Sequence, residues 1–177
     1  MSIDWNAELL DQVDFMWNHH FLRRMEGLTD EEYFREPADD CWNVFRNDDG
    51  KWAVTWEFPE PTPPPVTTIG WRLVHIAIPV FGTRASNHFG DGSYSLETAL
   101  IPGSAEEAME LLAENYGKWR EGVAALGEEG LARPCGPAEG PYSEAPMATL
   151  VLHINREFLH HAAEVMLLRD LYRANPQ

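Results

Sequence analysis

The chain has 177 residues, of which 44% are hydrophobic, and this size and composition favour one globular domain over a disordered or fibrous protein. Its 29 acidic residues outnumber 13 basic residues and give a formal net charge of -16, which repels phosphate backbones and anionic lipid surfaces. We therefore expect a single domain over residues 1–177 that binds a small molecule and has neither a nucleic acid nor a membrane as partner.

The N-terminal segment is predicted to be a helix rather than a targeting signal. It lacks the basic region and the continuous apolar run of a secretory signal, and no stretch of the chain reaches the roughly 18 apolar residues of a membrane span. We therefore expect a cytoplasmic protein. Apolar residues at close to helical spacing predict a first helix over residues 3–26. Thr29 and Glu32 have the spacing of a capping box, which predicts a short helix over residues 30–34.

Residues 36–66 interrupt the helical pattern. Two runs rich in aromatic and β-branched residues, 41–46 and 51–58, flank a turn sequence at 47–50, and this arrangement predicts a β-hairpin. The proline-rich residues 59–65 predict a stiff, extended connection. A loop of this length more often has a function than not, so we expect it to wall a pocket or form a subunit contact. The alternative is a hydrophobic flap packed on the helices.

The second long helix is predicted from Thr67 or Thr68 to Phe89. Apolar residues surround it almost completely, so it should be buried on several sides. His75 lies in its middle, and Pro79 lacks the amide that would bond to the His75 carbonyl. The pattern therefore predicts a local kink or widened turn at His75.

Two further long helices complete the predicted architecture. The sequence Ser104–Glu107 repeats the capping pattern before a third helix that we expect to end at Leu126. A connection rich in glycine and proline, residues 127–146, leads to a fourth helix from Met147 to Arg173. Four long helices without strong strands elsewhere predict an all-α four-helix bundle with a hairpin-like insertion between its first and second helices.

The fourth helix carries a pair of metal-ligating residue types. Glu157 and His161 are four residues apart and project from one helix face, and His161 falls on the buried apolar stripe. With His75 they form a hypothetical set of two nitrogen ligands and one oxygen ligand, which leaves a coordination position open. Zinc or nickel accepts this mixture, whereas calcium and magnesium prefer oxygen. The alternative is an interior hydrogen-bond network without metal.

Two other polar residues of this helix are candidates for a catalytic role. His153, one turn before Glu157, is a candidate general base, with a fourth ligand or a hydrogen-bonded interior histidine as alternatives. Glu164 forms a second four-residue pair with His160, and it either faces solvent in a salt bridge or orients a ligand imidazole.

The remaining histidines and the cysteines are not expected to take part in chemistry. His19, His20 and His88 are predicted at a surface or an interface. Cys41 and Cys135 have no C-x-x-C spacing and no neighbouring base, so we expect reduced thiols and neither a disulfide nor a nucleophile.

In the order of its elements and in two motifs, the chain resembles the DinB-like (DinB/YfiT) superfamily. The motifs are Thr67–His75 in the second helix and Leu152–Glu164 in the fourth, and the resemblance covers nearly the whole chain. It implies an up-down-down-up bundle whose members commonly carry a divalent metal, often zinc or nickel. The family takes one histidine from the second helix and two ligands four residues apart from the last, and His75, Glu157 and His161 match these positions.

The identity of the last-helix pair implies a reaction class. A glutamate and a histidine stand where many relatives have two histidines, which looks like the mycothiol-dependent isomerase and transferase branch. Characterised relatives use a low-molecular-weight thiol, such as mycothiol or bacillithiol, as cosubstrate. The resemblance thus implies a metal-dependent thiol S-transferase-like enzyme acting on an electrophilic small molecule, with zinc favoured over nickel.

Residues around the predicted metal site receive roles from this implied reaction. His153 and Glu164 would be the catalytic pair that shuttles a proton or orients a ligand. Arg72 and Arg156 flank the site helices and would bind the acidic thiol. The insertion would cover the substrate with its three tryptophans, which are Trp42, Trp52 and Trp56.

Two other classes of function remain open. A non-catalytic, damage-inducible metal-binding protein would bind metal without turnover and use its bundle face and aromatic loop to dimerise. A metal-dependent hydrolase would activate water and would need no thiol. In each class we expect a homodimer, and the fold alone does not decide among them.

Overall fold

The computed structural model describes residues 3–175 and consists mainly of helices. In chain order the α-helices are α1 (residues 5–25), α2 (Asp30–Phe34), α3 (residues 69–89), α4 (Ala105–Ala124), α5 (Gly127–Ala132) and α6 (Met147–Ala174). Strands β1 (Val44–Arg46) and β2 (Trp52–Val54) pair antiparallel in the insertion between α2 and α3, with Phe45 opposite Ala53. The predicted all-α bundle with a hairpin-like insertion is therefore confirmed, with α1, α3, α4 and α6 as its long helices.

Contacts between α1 and α6 show that these two helices run in the same direction. Asn155 donates a hydrogen bond to the carbonyl of Leu9 at 2.7 Å, and Arg24 donates one to the carbonyl of Met166 at 3.4 Å. Residue numbers thus increase together along the pair. Their adjacency in space, despite their separation in sequence, closes one side of the bundle.

Helices α3 and α4 also run parallel to each other. The Asn115 side chain donates to the carbonyl of Ala77 at 2.9 Å, and the ring of Phe89 lies against Gly122, where an added Cβ would meet it at 2.1 Å. The missing side chain of Gly122 therefore permits this close approach.

The two parallel pairs run antiparallel to each other. Between α1 and α4, Asn6 donates to the carbonyl of Ala124 and Arg120 donates to Asp14. Residue numbers therefore rise along α1 as they fall along α4. The same reversal holds between α3 and α6, where residue 72 contacts residue 164 and residue 75 contacts residue 161. The bundle is therefore up-down-down-up.

Helix α3 changes from α-helical to π-helical winding directly after His75, the first predicted ligand. It is α-helical over Ile69–His75, π-helical over Ile76–Gly82 and α-helical again over Thr83–Phe89. The predicted widened turn is confirmed, and its cause is the missing amide of Pro79. Helix α1 contains a similar segment, Met16–Phe21, which lacks a proline and was not predicted.

Residues 127–146, predicted as a connection rich in glycine and proline, contain two short helices. These are α5 and a 3-10 helix at Pro137–Tyr142, neither of which was predicted. Two glutamates in the first turn favour the start of α5, and Leu131 anchors it in the core. The many glycines and prolines around Leu131 are the reason that this short helix was not predicted from the sequence.

Of the two predicted capping boxes, one is complete and the other is half formed. The box at α2 is complete, since Thr29 and Glu32 each accept from the other's backbone amide. At α4, Ser104 accepts from the amide of Glu107, but the Glu107 carboxylate binds the amide of Gly103 instead of that of Ser104. The second predicted box is thus only half formed.

The core lies between the four long helices and is rich in aromatic rings. Trp17 stacks on Tyr116 with ring centroids 4.1 Å apart, and Phe158 packs beside both. None of the helices in residues 3–175 is long and apolar enough to cross a membrane. Cys41 and Cys135 are both free thiols.

Candidate metal centre

The three residues predicted as metal ligands lie together at the interface of α3 and α6. His75 is the last residue of the first α-helical segment of α3, and Glu157 and His161 lie on one face of α6. One ligand atom from each lies within 4.8 Å of the others. The rings of His75 and His161 meet edge-on with centroids 4.6 Å apart. The antiparallel packing of the two helices therefore assembles the set that the sequence predicted.

His75 has the protonation state and the unmet hydrogen-bonding capacity of a ligand. Its Nδ1 is buried without a hydrogen-bond partner among residues 3–175. Burial, together with the nearby charges of His161 and Arg72, lowers the pKa of His75 to about 3. A neutral imidazole with an unpaired buried nitrogen fits a metal ion, because metal ligation needs the deprotonated ring.

His161 uses its two ring nitrogens differently. Its Nδ1 lies 2.8 Å from a Glu164 oxygen and its Nε2 lies 3.4 Å from a Glu157 oxygen. Burial lowers the pKa of His161, although the hydrogen bond with Glu164 opposes this shift. A neutral ring that donates from Nδ1 to Glu164 presents the Nε2 lone pair on the Glu157 side. This is the orientation that an outer carboxylate gives a metal-bound histidine.

Arg72 lies on the Glu164 side of His161. Its Nε is 3.1 Å from a Glu164 oxygen. Its Nη1 is 3.0 Å from His161 Nδ1, which is a close contact and not a hydrogen bond when Nδ1 carries the proton that it donates to Glu164. Burial lowers the pKa of Arg72, whereas the charge of Glu164 raises it. Its binding of an acidic cosubstrate stays a prediction, and in this structure it forms part of the support around His161.

A second group of potential ligands shares His161 with the first. His160, His161 and Glu164 also meet the distance requirement for a cation. The guanidinium of Arg72 already contacts two of these three residues, however, and a second positive charge there would be repelled. The arrangement therefore favours the set of His75, Glu157 and His161, which we call the triad.

His153 lies beside the triad rather than within it. Its Nδ1 is 3.6 Å from a Glu157 oxygen and 2.8 Å from Arg156 Nη2. Its side chain is 39% exposed, so it lies at the edge of the interior, and its role as a general base stays a prediction. His153 is thus positioned between the triad and solvent.

A cleft of about 630 Å³ opens on the other side of His153. It lies between the first turns of α6, the end of α3 and the 3-10 helix, and His153 and Arg156 are among its lining residues. No local pattern predicted this cleft, because one of its walls belongs to the connection at residues 127–146. Its glycine and proline content hid an ordered structure.

Arg84, His88 and Glu139 lie together beside the cleft, and Arg84 and Glu139 line it. No sequence pattern predicted this contact. His88 Nε2 lies 2.9 Å from a Glu139 oxygen, and Arg84 Nε lies 3.4 Å from the same oxygen. The hydrogen bond from His88 holds the pKa of Glu139 below its ordinary value. The His88 side chain is buried, so its predicted surface position was wrong. Glu139 is 51 residues away in the chain, so no local pattern reveals this contact.

The insertion covers the His75 side of the triad. The ring of Trp56 lies 5.9 Å from that of His75 and nearly parallel to it, and Trp42 stacks on Trp56. Trp52 instead stacks on Phe34 at 5.3 Å, on another side of the hairpin. Two of the three tryptophans expected over the substrate therefore lie near the triad, and the third does not.

Comparison with known proteins agrees with the fold. The sequence matches a family model described as the DinB superfamily over residues 12–165. That match includes every residue of the triad together with His153, Glu164 and the cleft. No curated protein and no solved structure gives a significant match.

Proposed function

The chain belongs to the DinB superfamily, and from this membership we propose that it is a metal-dependent thiol S-transferase-like enzyme. Its substrates would be a low-molecular-weight thiol, of the mycothiol or bacillithiol type, and an electrophilic small molecule. The observation that carries this proposal is the triad, in which a neutral buried His75 meets Glu157 and an oriented His161. Three protein ligands leave one position open, which is the pattern of a catalytic rather than a structural site.

Zinc fits the triad best, and nickel is the second choice. Two imidazole nitrogens and one carboxylate oxygen suit these borderline metals, whereas a hard cation would favour more oxygen ligands. When bound, a divalent ion supplies Lewis-acid chemistry that lowers the pKa of a thiol. His75, Glu157 and His161 would bind that ion.

The surrounding residues support proton transfer and orientation. His153 is partly exposed and 3.6 Å from Glu157, so its imidazole is placed to accept the proton of an incoming thiol and pass it to solvent. Glu164 accepts from His161 Nδ1 and thereby fixes the direction of that ring. Trp56 and Trp71 cover His75 and limit the access of water from that side.

Turnover with and without a thiol tests this proposal. Zinc-loaded protein would be assayed with mycothiol, bacillithiol and glutathione against chlorodinitrobenzene. We expect a rate that rises with thiol concentration, disappears after chelation and returns with zinc. The variant His153→Gln should lower kcat by about 100-fold, the usual contribution of a general base, with metal content unchanged.

The alternatives give different results in the same assays. Metal-dependent hydrolysis of an activated ester without thiol would favour the hydrolase, and bound metal with no turnover would favour a non-catalytic metal-binding protein. Either outcome would contradict the transferase proposal. The matched control is His160→Ala, because this exposed neighbour of His161 is not a member of the triad.

A further inference from the structure

The cleft beside His153 carries positive charge in a strongly acidic protein. Two arginines, Arg84 and Arg156, and one glutamate, Glu139, are its formally charged lining residues, in a chain of net charge -16. Arg84 is paired with Glu139. Arg156 has no carboxylate within salt-bridge distance among residues 3–175, and its hydrogen bond goes to His153. Arg156 is exposed at the cleft and no carboxylate occupies its guanidinium, so it is available to pair with an anionic ligand.

Arg84 contributes a second positive charge to the same cleft. Its Nη1 donates to the carbonyl of Pro79 at 2.9 Å, so the guanidinium is held against α3. Its Nε is buried and faces a Glu139 oxygen at 3.4 Å, which leaves Nη2 as the nitrogen that can meet a ligand. A carboxylate has enough acceptor sites for both arginines.

The walls of the cleft are apolar. Leu150, Leu152, Pro141, Tyr142 and Ala145 line it, and its volume of about 630 Å³ is that of a small-molecule site. Hydrocarbon or aromatic groups gain free energy by leaving water against such walls. An apolar electrophile would bury more hydrocarbon surface against these walls than a thiol that carries many hydroxyl groups. The chemistry of the cleft therefore suits the electrophilic partner better than the thiol.

His153 connects this cleft to the triad. Its Nδ1 lies 2.8 Å from Arg156 Nη2, a group of the cleft, and 3.6 Å from a Glu157 oxygen, a group of the triad. We propose that the cleft binds the electrophilic substrate as a small carboxylic acid with an apolar body, whose carboxylate meets Arg156 and Arg84 and whose carbon skeleton packs on Leu150 and Leu152. This inference rests on the proposed function, to which it adds a substrate class.

Binding of hydrocinnamate tests the substrate class without any turnover. The acid would be titrated into the full-length, zinc-loaded protein and followed by NMR of the leucine methyl groups, with hydrocinnamyl alcohol as the neutral counterpart. We expect saturable shifts at Leu150 and Leu152 with the acid and weaker binding of the alcohol. Arg156→Gln should raise the Kd of the acid by about fivefold and leave that of the alcohol unchanged, as expected for a partly exposed ion pair.

A control variant separates the cleft from general charge effects. Arg23→Gln removes the same charge from a groove between α1 and α6 and should leave the Kd of hydrocinnamate unchanged. The proposal would be overturned by the absence of saturable binding at millimolar acid, by equal binding of the alcohol, or by equal effects of the two arginine variants. Because neither thiol nor turnover enters this experiment, hydrocinnamate binding with no thiol-dependent activity would contradict the proposed reaction alone.

Discussion

The two nitrogens of His161 make the strongest residue-level case for a metal centre. One nitrogen meets an acceptor outside the triad, Glu164, and the other faces into the triad toward Glu157. A simple interior hydrogen-bond network would also satisfy His75, yet the Nδ1 of His75 is buried without a partner. The network alternative therefore explains less of the site than a metal ion does.

Removing the charge of Glu164 should weaken metal binding without removing a ligand. The variant Glu164→Gln loses the carboxylate that holds His161 Nδ1, and loss of such an outer partner costs about 10–100-fold in metal affinity. Competition with a chromophoric zinc chelator measures this change. The control His160→Ala removes a contact to the other oxygen of Glu164 and should change the affinity by less than about twofold. Equal losses in both variants would refute the orienting role.

The residues of the site were predictable to the extent that their spacing is local. Glu157 and His161 are one helical turn apart, and Pro79 marks the widened turn next to His75, so sequence alone brought attention to all three. The pairing of His88 with Glu139 depends on a long-range contact that no periodicity encodes. Arg156 was predicted beside the site from the sequence, but the cleft that it lines became visible only in the structure.

The insertion is fixed to α3 by a hydrogen bond close to the triad. The Trp71 indole donates to the carbonyl of Thr55 at 2.7 Å, while its ring lies parallel to His75. The variant Trp71→Phe keeps an aromatic ring and loses the donor, which should cost about 1 kcal/mol. We expect faster amide hydrogen exchange at residues 55–57, which include Trp56, with little change in metal content.

A second tryptophan of the insertion provides the control for this prediction. Trp52→Phe makes the same chemical change at a ring that stacks on Phe34, away from the triad. It should leave the exchange of the residues next to Trp56 unchanged. If Trp71→Phe and Trp52→Phe had the same effect there, the indole hydrogen bond would not be what fixes the insertion over the triad.

A buried ion pair fastens α2 to α6 and should make stability depend on pH. The Arg169 guanidinium lies 2.8 Å from a Glu32 oxygen, and both side chains are almost fully buried. Burial alone would raise the pKa of Glu32, but the hydrogen bonds from Arg169 and from the Thr29 amide outweigh it and hold this pKa below its ordinary value of 4.5. The stabilisation is therefore present above about pH 4.5 and is lost as the pH falls through the lower folded-state pKa.

Urea unfolding at a series of pH values tests this expectation. The free energy of unfolding should decrease below about pH 4.5, and Glu32→Gln should show a shallower decrease. The same variant should be less stable near neutral pH by about 3–5 kcal/mol, because it leaves a buried arginine without its charge partner. The exposed Glu57→Gln serves as control. Identical pH profiles for wild type and Glu32→Gln would contradict the assignment.

The elements themselves were predictable where their pattern is long. The periodic apolar residues of α1, α3, α4 and α6 predicted each long helix, and the hairpin followed from its turn sequence. Helix α5 has one buried anchor, Leu131, within six residues, which is too little to show a period. The π-helical segment at Met16–Phe21 has no proline to mark it, so tertiary packing rather than local sequence accounts for it.

At the scale of the whole molecule, residue patterns do not fix the directions of the helices. The long connections at residues 36–66 and 127–146 allow either parallel or antiparallel neighbours, so the up-down-down-up order came from the family resemblance. In the structure it is what brings α3 and α6 together in opposite directions. That crossing places His75 opposite Glu157 and His161, and a different order would separate the triad.

The outer side of the α1 and α6 pair is where we expect the predicted homodimer contact. Large apolar side chains on these neighbouring helices are exposed, namely Phe15, Leu22, Leu167 and Leu171. Leu167→Glu should shift the protein from dimer to monomer in sedimentation velocity, because a charge cannot be buried there without a partner. Leu100→Glu, at a more exposed leucine outside these helices, is the control. A monomeric wild type would contradict the prediction.

Metal content tests the central claim most directly. Untagged wild-type protein would be purified, and its zinc and nickel measured by elemental mass spectrometry beside Glu157→Gln, His161→Ala and the control His160→Ala. We predict about one metal ion per chain in the wild type and the control, and a marked loss in the two triad variants. A wild type that holds no metal even after anaerobic loading with zinc or nickel, or triad variants that keep it, would contradict the assignment of His75, Glu157 and His161 as a metal centre.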